Sequence, residues 1–277
     1  MTSIISDCCG MSGTMRNAPF KEQVVILTGA SSGIGKELAY QLAQQGAWLA
    51  LAARSLDKLE TVAAECRQRG AKALVVQTDV TDETQCQRLI ERTIETYGRI
   101  DVLLANAGYG RPKRFEALRD LSTLKGEIEL NYYGVVHCAY YALPYLKQSK
   151  GRLVGVCSFG GQVGIPGTIG YNSSKHAMRG FLNTLRAELR GSGVSVTVLY
   201  LGAIRTERLV EAMGANVNKV PTMSPERCAA LILGAAARRR RQLVMTLAGK
   251  LLVWLNLVAP ALLDWILVSF PGIAYEE

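Results

Sequence analysis

A tyrosine and a lysine four positions apart could together carry out proton transfer. They are Tyr171 and Lys175 in the run Tyr-Asn-Ser-Ser-Lys, and Ser158 stands thirteen positions before the tyrosine. On a helix, residues i and i+4 lie on the same face, one turn apart. A lysine ammonium held there favours the phenolate and so lowers the pKa of a phenol from about 10 toward neutrality. Such a tyrosine can donate a proton to a carbonyl oxygen or accept one from an alcohol.

The same spacing occurs by chance on many amphipathic helices, so the rest of the chain has to support a catalytic role for this pair. The sequence has 277 residues, of which 49% are hydrophobic and 20% charged. This composition is sufficient for a sizeable core and excludes global disorder. The formal net charge is +9, part of it in four consecutive arginines at 238–241. These arginines are not interleaved with aromatic residues, so we expect no nucleic-acid partner.

Cysteine usage predicts a reducing compartment. The sequence contains seven cysteines, with no C-x-x-C pair and no zinc-ligand spacing. An odd number without a disulfide framework predicts free thiols and a cytoplasmic location. The two histidines, His137 and His176, have no metal-ligand spacing between them, so we expect no metal site. Residues 1–20 contain no apolar core, and we expect a flexible tail there with neither a signal peptide nor a membrane anchor.

Short apolar runs alternate with longer amphipathic segments through most of the chain. The runs are predicted strands because they are short and rich in β-branched residues. They cover 23–28, 47–53, 71–77, 101–105, 152–158 and 194–201. Among the helices between them, a long one is predicted at about 121–148, with a bend near Pro144. Another at 168–190 carries the tyrosine and the lysine.

The predicted strands are continuously apolar rather than alternating, which indicates a parallel sheet covered by helices on both faces. The predicted fold class is therefore α/β, a single-domain Rossmann-type doubly wound parallel sheet in three layers (α/β/α). No glycine- or proline-rich linker divides it. We place this domain at 21–246, after the flexible tail at 1–20 and before an apolar helical C-terminal extension at 247–277.

A glycine-rich turn joins the first predicted strand to the first predicted helix. It reads Thr-Gly-Ala-Ser-Ser-Gly-Ile-Gly at 28–35. Glycines let backbone N–H groups approach a phosphate, and the helix N-terminus adds a favourable partial positive charge. The spacing differs from both G-x-G-x-x-G and the phosphate loop of nucleoside triphosphatases. Its position between a strand and a helix favours dinucleotide binding over a merely structural turn.

The end of the second predicted strand bears on the choice of cofactor. It reads Ala-Ala-Arg-Ser at 52–55, without the Asp or Glu that normally bonds a free ribose 2′-hydroxyl there. The guanidinium of Arg54 could instead make a bidentate contact with a 2′-phosphate. The sequence therefore predicts that NADP(H) is preferred and NAD(H) possible. An ordinary surface arginine is the alternative interpretation.

Taken together, these residues resemble the short-chain dehydrogenase/reductase family along nearly the whole of 23–245. The matches are the glycine-rich run at 28–35, Asp79-Val80, Ala105-Asn106-Ala107-Gly108, Asn131, Ser158 and the Tyr171/Lys175 pair. The run Leu-Gly-x-Ile-x-Thr at 201–206, the run at 52–55 and the apolar C-terminal extension resemble the 11β-hydroxysteroid dehydrogenase type 1-like branch of that family. Six ordered matches in the expected structural context make the resemblance specific.

The resemblance implies a role for each matched residue. Tyr171 would be the general acid/base and Ser158 would hold the substrate oxygen. Lys175 would bind the nicotinamide ribose and lower the pKa of the tyrosine, and Asn131 would anchor a water that links Lys175 to solvent. The implied cofactor-binding residues are Gly29, Ser31, Ser32, Gly33 and Ile34 at the phosphates, Asp79 and Val80 beside adenine, Asn106 near the ribose with Ala107 and Gly108, and Ile204 and Thr206 at the carboxamide.

The predicted activity is that of an NADP(H)-dependent oxidoreductase. It would interconvert a ketone and a secondary alcohol on a bulky apolar substrate, steroid-like or lipid-like, by hydride transfer. Two alternatives remain: a reductase of small or acyl-linked 3-oxo substrates, and a nucleotide-binding scaffold without turnover. The resemblance also implies a homodimer, or a tetramer built from it, in which the helices at 121–149 and 168–190 pair across a two-fold axis.

The apolar tail is long enough to span a bilayer but is interrupted by polar residues. The run LLVWLNLVAPALLDWILVSF covers 251–270, and about 20 apolar residues suffice for a span. A carboxylate near the bilayer centre, here Asp264, costs about 2.5–3.5 kcal/mol. Pro260 is expected to break the segment into two short helices. We therefore expect the tail to lie on a membrane rather than to cross it.

Residues on either side of the break are typical of a membrane interface. Trp254 and Trp265 suit the headgroup level, and the arginines at 238–241 with Lys250 could meet anionic lipids. The sequence therefore predicts peripheral, salt-sensitive membrane association through 238–270. Covering the substrate mouth or a dimer partner is the alternative role for this segment.

Overall fold

Seven parallel strands form one sheet in the computed structural model, which describes residues 18–269. The strands are β1 (Val24–Thr28), β2 (Trp48–Ala53), β3 (Lys72–Gln77), β4 (Val102–Ala105), β5 (Arg152–Ser158), β6 (Ser195–Leu201) and β7 (Gln242–Val244). They are ordered β3-β2-β1-β4-β5-β6-β7, and every neighbouring pair is parallel. Residues 1–17 of the predicted tail and 270–277 of the predicted extension lie outside the described residues.

Helices connect the strands and follow the last one. They are α1 (Gly33–Gln44), α2 (Leu56–Gln68), α3 (Glu83–Tyr97), α4 (Ser122–Ile128), α5 (Gly134–Ser149), α6 (Ile169–Glu188), α7 (Glu207–Met213), α8 (Pro225–Ala237), α9 (Leu247–Val258) and α10 (Pro260–Ser269). One apolar core packs α1, α2 and α8 on one face of the sheet, through residues such as Leu38 and Ile232. A second packs α3, α5 and α6 on the other, through residues such as Leu89 and Leu182. The predicted three-layer doubly wound fold is confirmed.

Local sequence fixes the ends of α3 and the turn that precedes it. The Asp82 side chain caps the helix by accepting a hydrogen bond from Gln85 N at 3.1 Å. Gly98 ends it with a left-handed φ of 74°. The Gln85 side chain in turn accepts from Asp79 N at 2.9 Å, so the same cap holds the backbone that follows β3.

The predicted long helix is interrupted, although not where the sequence places the bend. A turn of π-helix spans Glu129–Tyr133 between α4 and α5, whereas Pro144 lies within α5. Such an insertion opens the helical hydrogen-bond ladder and is frequent at functional sites. Here it carries Asn131, whose side chain is fully buried.

The part of the chain after residue 205 contains the strand that sequence patterning missed. β7 has three residues, is partly exposed, and pairs with β6 from Val198 opposite Gln242 to Tyr200 opposite Val244. Because all strands are parallel, the arginines at 238–241 lie at the amino edge of the sheet and α9 begins at the carboxyl edge. Arg239 donates to Gly193 O at 2.9 Å at that amino edge. The helices α9 and α10 meet at Pro260, so the predicted break is confirmed.

Candidate active site

The order of the sheet determines where a site can form. The strand order changes direction between β1 and β4, so the loops that follow these two strands diverge to opposite faces. In open α/β sheets, ligands bind in the crevice at the carboxyl ends of the strands at such a point. The glycine-rich turn follows β1 here, and the run 105–108 follows β4.

The glycine-rich turn has the conformation and space that a dinucleotide requires. Gly29 and Gly33 have φ of 67° and 53°, in the left-handed region that favours glycine. A Cβ on Gly29 would lie 2.9 Å from the Cα of Ala107, and one on Gly33 would lie 3.0 Å from Cγ2 of Thr206. The turn thus passes closely against two other predicted cofactor residues. The residues present fit a bound dinucleotide, since two glycines let the backbone of the turn approach a phosphate at the N-terminus of α1.

Thr28 and Asn106 tie the loops after β1 and β4 together. Thr28 Oγ1 accepts hydrogen bonds from Asn106 N at 3.0 Å and Ala107 N at 3.1 Å. The Asn106 side chain donates to Thr28 O at 3.0 Å and to Gly29 O at 3.3 Å. Both hydrogens of its amide therefore serve the junction between the strands. Sequence reasoning placed Asn106 near a ribose and gave Thr28 no role.

Two clefts of about 620 Å³ and about 430 Å³ lie beyond the carboxyl ends of β2 and β3, and their linings include neither the glycine-rich turn nor Tyr171. Arg54 and Asp79 line both of them. The other residues of the larger cleft are Gln77, Asp82, Thr84, Gln85 and Arg88. Those of the smaller cleft are Thr81, Tyr109, Gly126, Glu129 and Leu130. Arg54 is exposed and directly follows β2.

The remaining predicted cofactor residues lie around the same crevice. Ser32 is exposed and precedes α1, while Ser31 and Ile34 are half-buried beside it. Val80 is buried, and its carbonyl lies 3.1 Å from Nδ1 of His137. Ile204 is also buried. Each of the residues assigned to the cofactor from the sequence therefore lies at the carboxyl edge of the sheet or on a loop that follows a strand.

The Asn131 side chain holds the loop after β4 in place through hydrogen bonds to its backbone. Its Nδ2 donates to Tyr109 O at 2.8 Å and to Ser174 Oγ at 3.0 Å, and its Oδ1 accepts from Tyr109 N at 3.0 Å. These three bonds satisfy both amide hydrogens and one oxygen lone pair in a fully buried position. Asn131 therefore links the loop after β4 to α6.

Lys175 is a buried cation on α6. It is 3% exposed, and its Nζ donates to Val156 O at 3.1 Å. Burial lowers the pKa of this lysine, an effect partly opposed by the Cys157 thiol. A Cβ on Gly108 would lie 3.1 Å from Lys175 Nζ and 2.5 Å from Asn131 Oδ1. The ammonium and the Asn131 amide thus converge on the backbone of Gly108.

Tyr171 lies one helical turn before Lys175, as the spacing predicts. Nζ of Lys175 is 5.7 Å from the centre of the Tyr171 ring. The backbone of Gly110 lies close to the same ring, because a Cβ there would be 2.8 Å from its Cγ. The phenol is half-buried, with glycine backbone on one side and the buried ammonium nearby. This arrangement can exchange a proton with a substrate oxygen.

Ser158 ends β5 beside the turn of α6 that carries Tyr171. Its Oγ accepts from Gly160 N at 3.2 Å. A Cβ on Gly160 would collide with Oδ1 of Asn172, the residue after the tyrosine. The short loop after β5 therefore packs directly on the first turn of α6, and Ser158 and Tyr171 are brought to the same edge of the sheet.

Helix α7 borders the crevice on the remaining side. Thr206 caps it by accepting from Leu209 N at 3.3 Å. The guanidinium of Arg208 lies 4.9 Å from the centre of the Tyr109 ring, and that of Arg111 lies 5.6 Å from it. These stacked contacts connect α7 to the loop after β4.

Comparison with known proteins agrees with this geometry. The sequence profile of the family described as short chain dehydrogenase matches residues 23–215. The chain belongs to this family. The match covers the glycine-rich turn, Asn131, Ser158, Tyr171 and Lys175. The family assignment made from sequence motifs is confirmed.

Relatives within the family carry hydroxysteroid dehydrogenase names. The 11-beta-hydroxysteroid dehydrogenase-like 4A of Arabidopsis thaliana is 37% identical over 246 residues, which cover 87% of this chain and 82% of that protein. The dehydrogenase/reductase SDR family protein 7-like of Dictyostelium discoideum is 33% identical, covering 98% of this chain and 89% of that protein. The alcohol dehydrogenase of the archaeon Thermococcus sibiricus, solved in complex with 5-hydroxy-NADP, is 31% identical with a TM-score of 0.74, over 81% of this chain and 96% of that one.

As a member of the short-chain dehydrogenase family, the chain is an NAD(P)-dependent dehydrogenase/reductase. The motifs gave the candidate catalytic and cofactor residues, but they missed the residues that hold these candidates in place. Thr28, Tyr109 and Ser174 each bond to a predicted site residue, and none stands out by type or spacing. Their signal is position alone, since Thr28 and Ser174 lie within quoted motifs and Tyr109 directly follows one.

Proposed function

We propose that the chain is an NADP(H)-dependent oxidoreductase that interconverts a ketone and a secondary alcohol on a bulky apolar substrate. The observation that carries this proposal is the convergence of Tyr171, Lys175 and Asn131 at the carboxyl edge of the sheet, beside the glycine-rich turn. A scaffold without turnover would have no need for a buried lysine beside a tyrosine, since burial of an ammonium is costly.

The chain's own residues handle one proton. Tyr171 gives its proton to the carbonyl oxygen in reduction and takes one from the alcohol in oxidation. Lys175 favours the phenolate through its charge, and Ser158 holds the substrate oxygen. When bound, a nicotinamide cofactor supplies the hydride donor or acceptor. Because Tyr109 and Ser174 use both amide hydrogens of Asn131, the water proposed there would donate to the second lone pair of Oδ1.

The preference for NADP(H) over NAD(H) rests on Arg54. It is exposed at the end of β2 and lines both clefts of the proposed dinucleotide site. Arg88 lines the larger cleft as well, so a 2′-phosphate would find two guanidiniums there. The alcohol dehydrogenase that resembles this chain was solved with an NADP derivative, which supports the same preference.

An apolar substrate is supported by the apolar wall that α9 and α10 form beside the loop after Ser158. Val163 is buried against Leu263 and Leu267 of α10, and Phe159 packs against the same cluster. The side chain of Asn256 on α9 donates to Gln162 O at 3.2 Å. The two C-terminal helices thus pack directly on the loop that follows Ser158, and they are composed largely of Leu, Val, Ile and Trp. The hydroxysteroid dehydrogenase names of the relatives support a steroid-like or lipid-like substrate.

The proposal is tested by measuring oxidation of NADPH by the purified chain with steroid, fatty and small or acyl-linked 3-oxo ketones. We expect turnover of bulky apolar ketones in preference to the small ones. Preference for small or acyl-linked ketones would favour the alternative reductase. Absence of turnover with every ketone, together with NADPH binding, would contradict the proposed substrate class.

We further propose that α9 and α10 contact a membrane surface. No helix within residues 18–269 is long and apolar enough to cross a bilayer. Exposed apolar side chains nevertheless recur along one face of α9 at Leu247, Leu251 and Trp254. Trp254 is 58% exposed, and Trp265 on α10 is 62% exposed. Such a face suits the headgroup level of a bilayer and would open the apolar wall to substrates dissolved in lipid.

The arginines at 238–241 lie at the opposite edge of the sheet from these helices. Arg239 donates to Gly193 O at 2.9 Å and to Lys150 O at 2.7 Å, so it links the loops that precede β5 and β6. Lys250 on α9 is exposed beside the apolar face. We therefore assign the proposed membrane contact to α9 and α10, with apolar burial as its main source of affinity.

A homodimer through α5 and α6 is also proposed. Tyr140 on α5 is 70% exposed, and the outer face of α6 presents small residues, among them Ser173, Gly180 and Thr184. Small residues let two helices approach closely across a two-fold axis. A Cβ on Gly180 would meet nothing within 4 Å, so Gly180→Arg should be tolerated by the monomer and should block this pairing. Gly164→Arg, at another glycine where a Cβ would meet nothing within 4 Å, is the matched control for Gly180→Arg and should still dimerise. Sedimentation of wild type as a monomer at micromolar concentration would refute the dimer.

A further inference from the structure

Residues 108–113 form an irregular strap that contacts α4, the turn of π-helix and the residues at the start of α6. Three alternate backbone amides of the strap donate to groups beneath it. Tyr109 N donates to Asn131 Oδ1 at 3.0 Å, and Lys113 N donates to Gly167 O at 2.6 Å. Between them, Arg111 N donates to Oε1 of Glu127. The three donors are alternate residues, and their acceptors belong to the π turn, to α4 and to the residue before Thr168.

Glu127 is a buried carboxylate on α4, in a part of the site that the proposed chemistry does not use. It is 3% exposed and lies one helical turn before Asn131. While Oε1 accepts from Arg111 N, Oε2 lies against the backbone of Gly170, where a Cβ would collide with it. Gly170 directly precedes Tyr171. The two oxygens of one carboxylate thus contact the strap and the first turn of α6.

The strap in turn contacts the ring of the proposed acid/base. Gly110 precedes Arg111, and its backbone lies against the Tyr171 ring. Gly108, at the start of the strap, lies against Asn131 and Lys175. Displacement of Arg111 would therefore release Gly110 from the tyrosine ring, which has glycine backbone rather than a side chain on this side.

We propose that Glu127 is a positioning residue for Tyr171. By accepting the Arg111 amide and packing on Gly170, it holds the strap and the first turn of α6 at a fixed separation, and so fixes the ring between them. The inference rests on the proposed role of Tyr171 as general acid/base. This role requires a hydrogen-bond acceptor at the distance from the backbone that a glutamate side chain spans. Without such an acceptor, the Arg111 amide would lose its partner next to a buried surface.

Charge on Glu127 plays a smaller part than its reach. Burial raises the pKa of this carboxyl, while the Arg111 amide and the Arg111 guanidinium oppose the rise. The first turn of α6 also favours a negative group, since it is the positive end of a 20-residue helix. A neutral amide of the same length retains the accepting oxygen, which makes Glu127→Gln the conservative variant.

Three variants separate reach from charge. Glu127→Leu removes the acceptor, and Glu127→Asp keeps the charge but shortens the side chain by one methylene. We expect both to lower kcat by about 10- to 100-fold, the usual effect of a misplacement near 1 Å at a reacting group. KM for the dinucleotide should stay within about threefold, because the glycine-rich turn is untouched. Glu127→Gln should keep kcat within about threefold of wild type.

Deuterium uptake provides a readout that does not depend on activity. A peptide that includes Arg111 should exchange faster in Glu127→Leu and Glu127→Asp than in wild type, and Glu127→Gln should match wild type. Glu116→Gln, an exposed carboxylate farther along the same loop, is the matched control. Because Glu127→Asp preserves the polarity of the site, it still tests the inference if Glu127→Leu fails to fold.

The inference is overturned if Glu127→Asp retains both wild-type kcat and wild-type exchange at Arg111. It is also overturned if Glu127→Gln loses as much kcat as Glu127→Asp, since charge rather than reach would then matter. Failure of the proposed function has a different signature. In that case Tyr171→Phe would turn over as fast as wild type, whatever the effect of changes at Glu127.

Discussion

The ammonium of Lys175 lies 5.7 Å from the centre of the Tyr171 ring while it donates to Val156 O at 3.1 Å. The bond to the carbonyl of β5 fixes the lysine relative to the sheet rather than to solvent. Burial lowers the pKa of the lysine, but the carbonyl gives the charged form a partner. The sheet therefore sets the distance between the ammonium of Lys175 and the ring of Tyr171.

Tyr171→Phe should lower kcat by about 10²–10⁴-fold, the usual cost of losing a general acid. Only the phenolic oxygen is removed, so NADPH affinity measured by fluorescence titration should be nearly unchanged. Tyr145→Phe removes a phenol from α5, outside the site, and serves as the control. Rates for Tyr171→Phe close to those of Tyr145→Phe would exclude the acid/base role.

Gly108→Ala should impair the site without a change in any polar residue. The added methyl would lie 2.5 Å from Asn131 Oδ1 and 3.1 Å from Lys175 Nζ, and Asn131 is held by bonds to Tyr109 and Ser174. We expect kcat to fall by about tenfold or more, as for small displacements of catalytic groups. Gly164→Ala, where a Cβ meets nothing within 4 Å, should keep wild-type kinetics. Equal kinetics for the two variants would contradict the prediction.

Arg54→Ala should reduce the preference for NADPH over NADH. Hydrogen bonds to charged groups contribute about 1.5–3 kcal/mol, so NADPH affinity should fall by roughly tenfold or more while NADH affinity stays constant. Added salt should weaken the preference of the wild type. Arg88→Ala, in the same cleft, shows how the two guanidiniums share the contact. Wild-type protein that binds both cofactors equally would refute the role of Arg54.

Much of the fold follows from composition and periodicity. Six strands are continuous apolar runs, and α3 begins and ends at a cap and a glycine that are plain in the sequence. β7 could not be found this way, because three partly exposed residues carry no pattern and only pairing with β6 makes them a strand. The π turn at 129–133 is also a tertiary effect, since the buried bonds of Asn131 accompany the insertion.

The candidate catalytic residues were easier to find in the sequence than the residues that hold them in place. Tyr171, Lys175 and Asn131 lie in recognisable motifs, and the structure brings them together around Gly108 and Gly110. By contrast, Glu127 is one carboxylate in an ordinary amphipathic helix, which sequence alone assigns to solvent. Its burial depends on the strap, an irregular segment whose path no periodicity predicts.

Glu127 should also give the stability of the protein a distinct pH dependence. Burial raises the pKa of its carboxyl above the ordinary value of 4.5. A group with a higher pKa in the folded state holds its proton more tightly when folded. Its contribution to stability is therefore full below 4.5 and is lost as pH rises through the folded pKa. Arg111 faces the carboxyl from the strap, and the backbone of Gly170 faces it from α6.

Glu127→Gln does not titrate and should not show this loss. The Tm difference between Glu127→Gln and wild type should therefore shift in favour of the variant as pH rises from about 4.5 toward neutrality. Thermal unfolding across this range, with Glu116→Gln as the exposed control, measures the shift. Parallel Tm curves for wild type and Glu127→Gln would show that the carboxyl titrates alike in the folded and unfolded states.

Replacing Trp254 and Trp265 together by Gln should abolish binding to vesicles of phosphatidylcholine and phosphatidylserine. Both side chains are more than half exposed, and each would lose its burial at the headgroup level. Truncation after Met245 should abolish binding as well, with NADPH binding retained. Leu56→Gln removes an exposed apolar side chain from α2 and should bind vesicles like wild type. Wild-type protein that stays in the supernatant at low salt would refute the membrane contact.

The edge strand β7 divides the sequence into two parts with different proposed roles. Every residue of the proposed dinucleotide site precedes β7, whereas the apolar wall formed by α9 and α10 follows it. The wall packs on Phe159, Gln162 and Val163 of the loop after β5. A recombination joint at Met245 would therefore exchange the wall between relatives and leave the cofactor half intact. If the wall selects the substrate as proposed, a chimera joined at Met245 should take the substrate range of the relative that supplies its C-terminal segment.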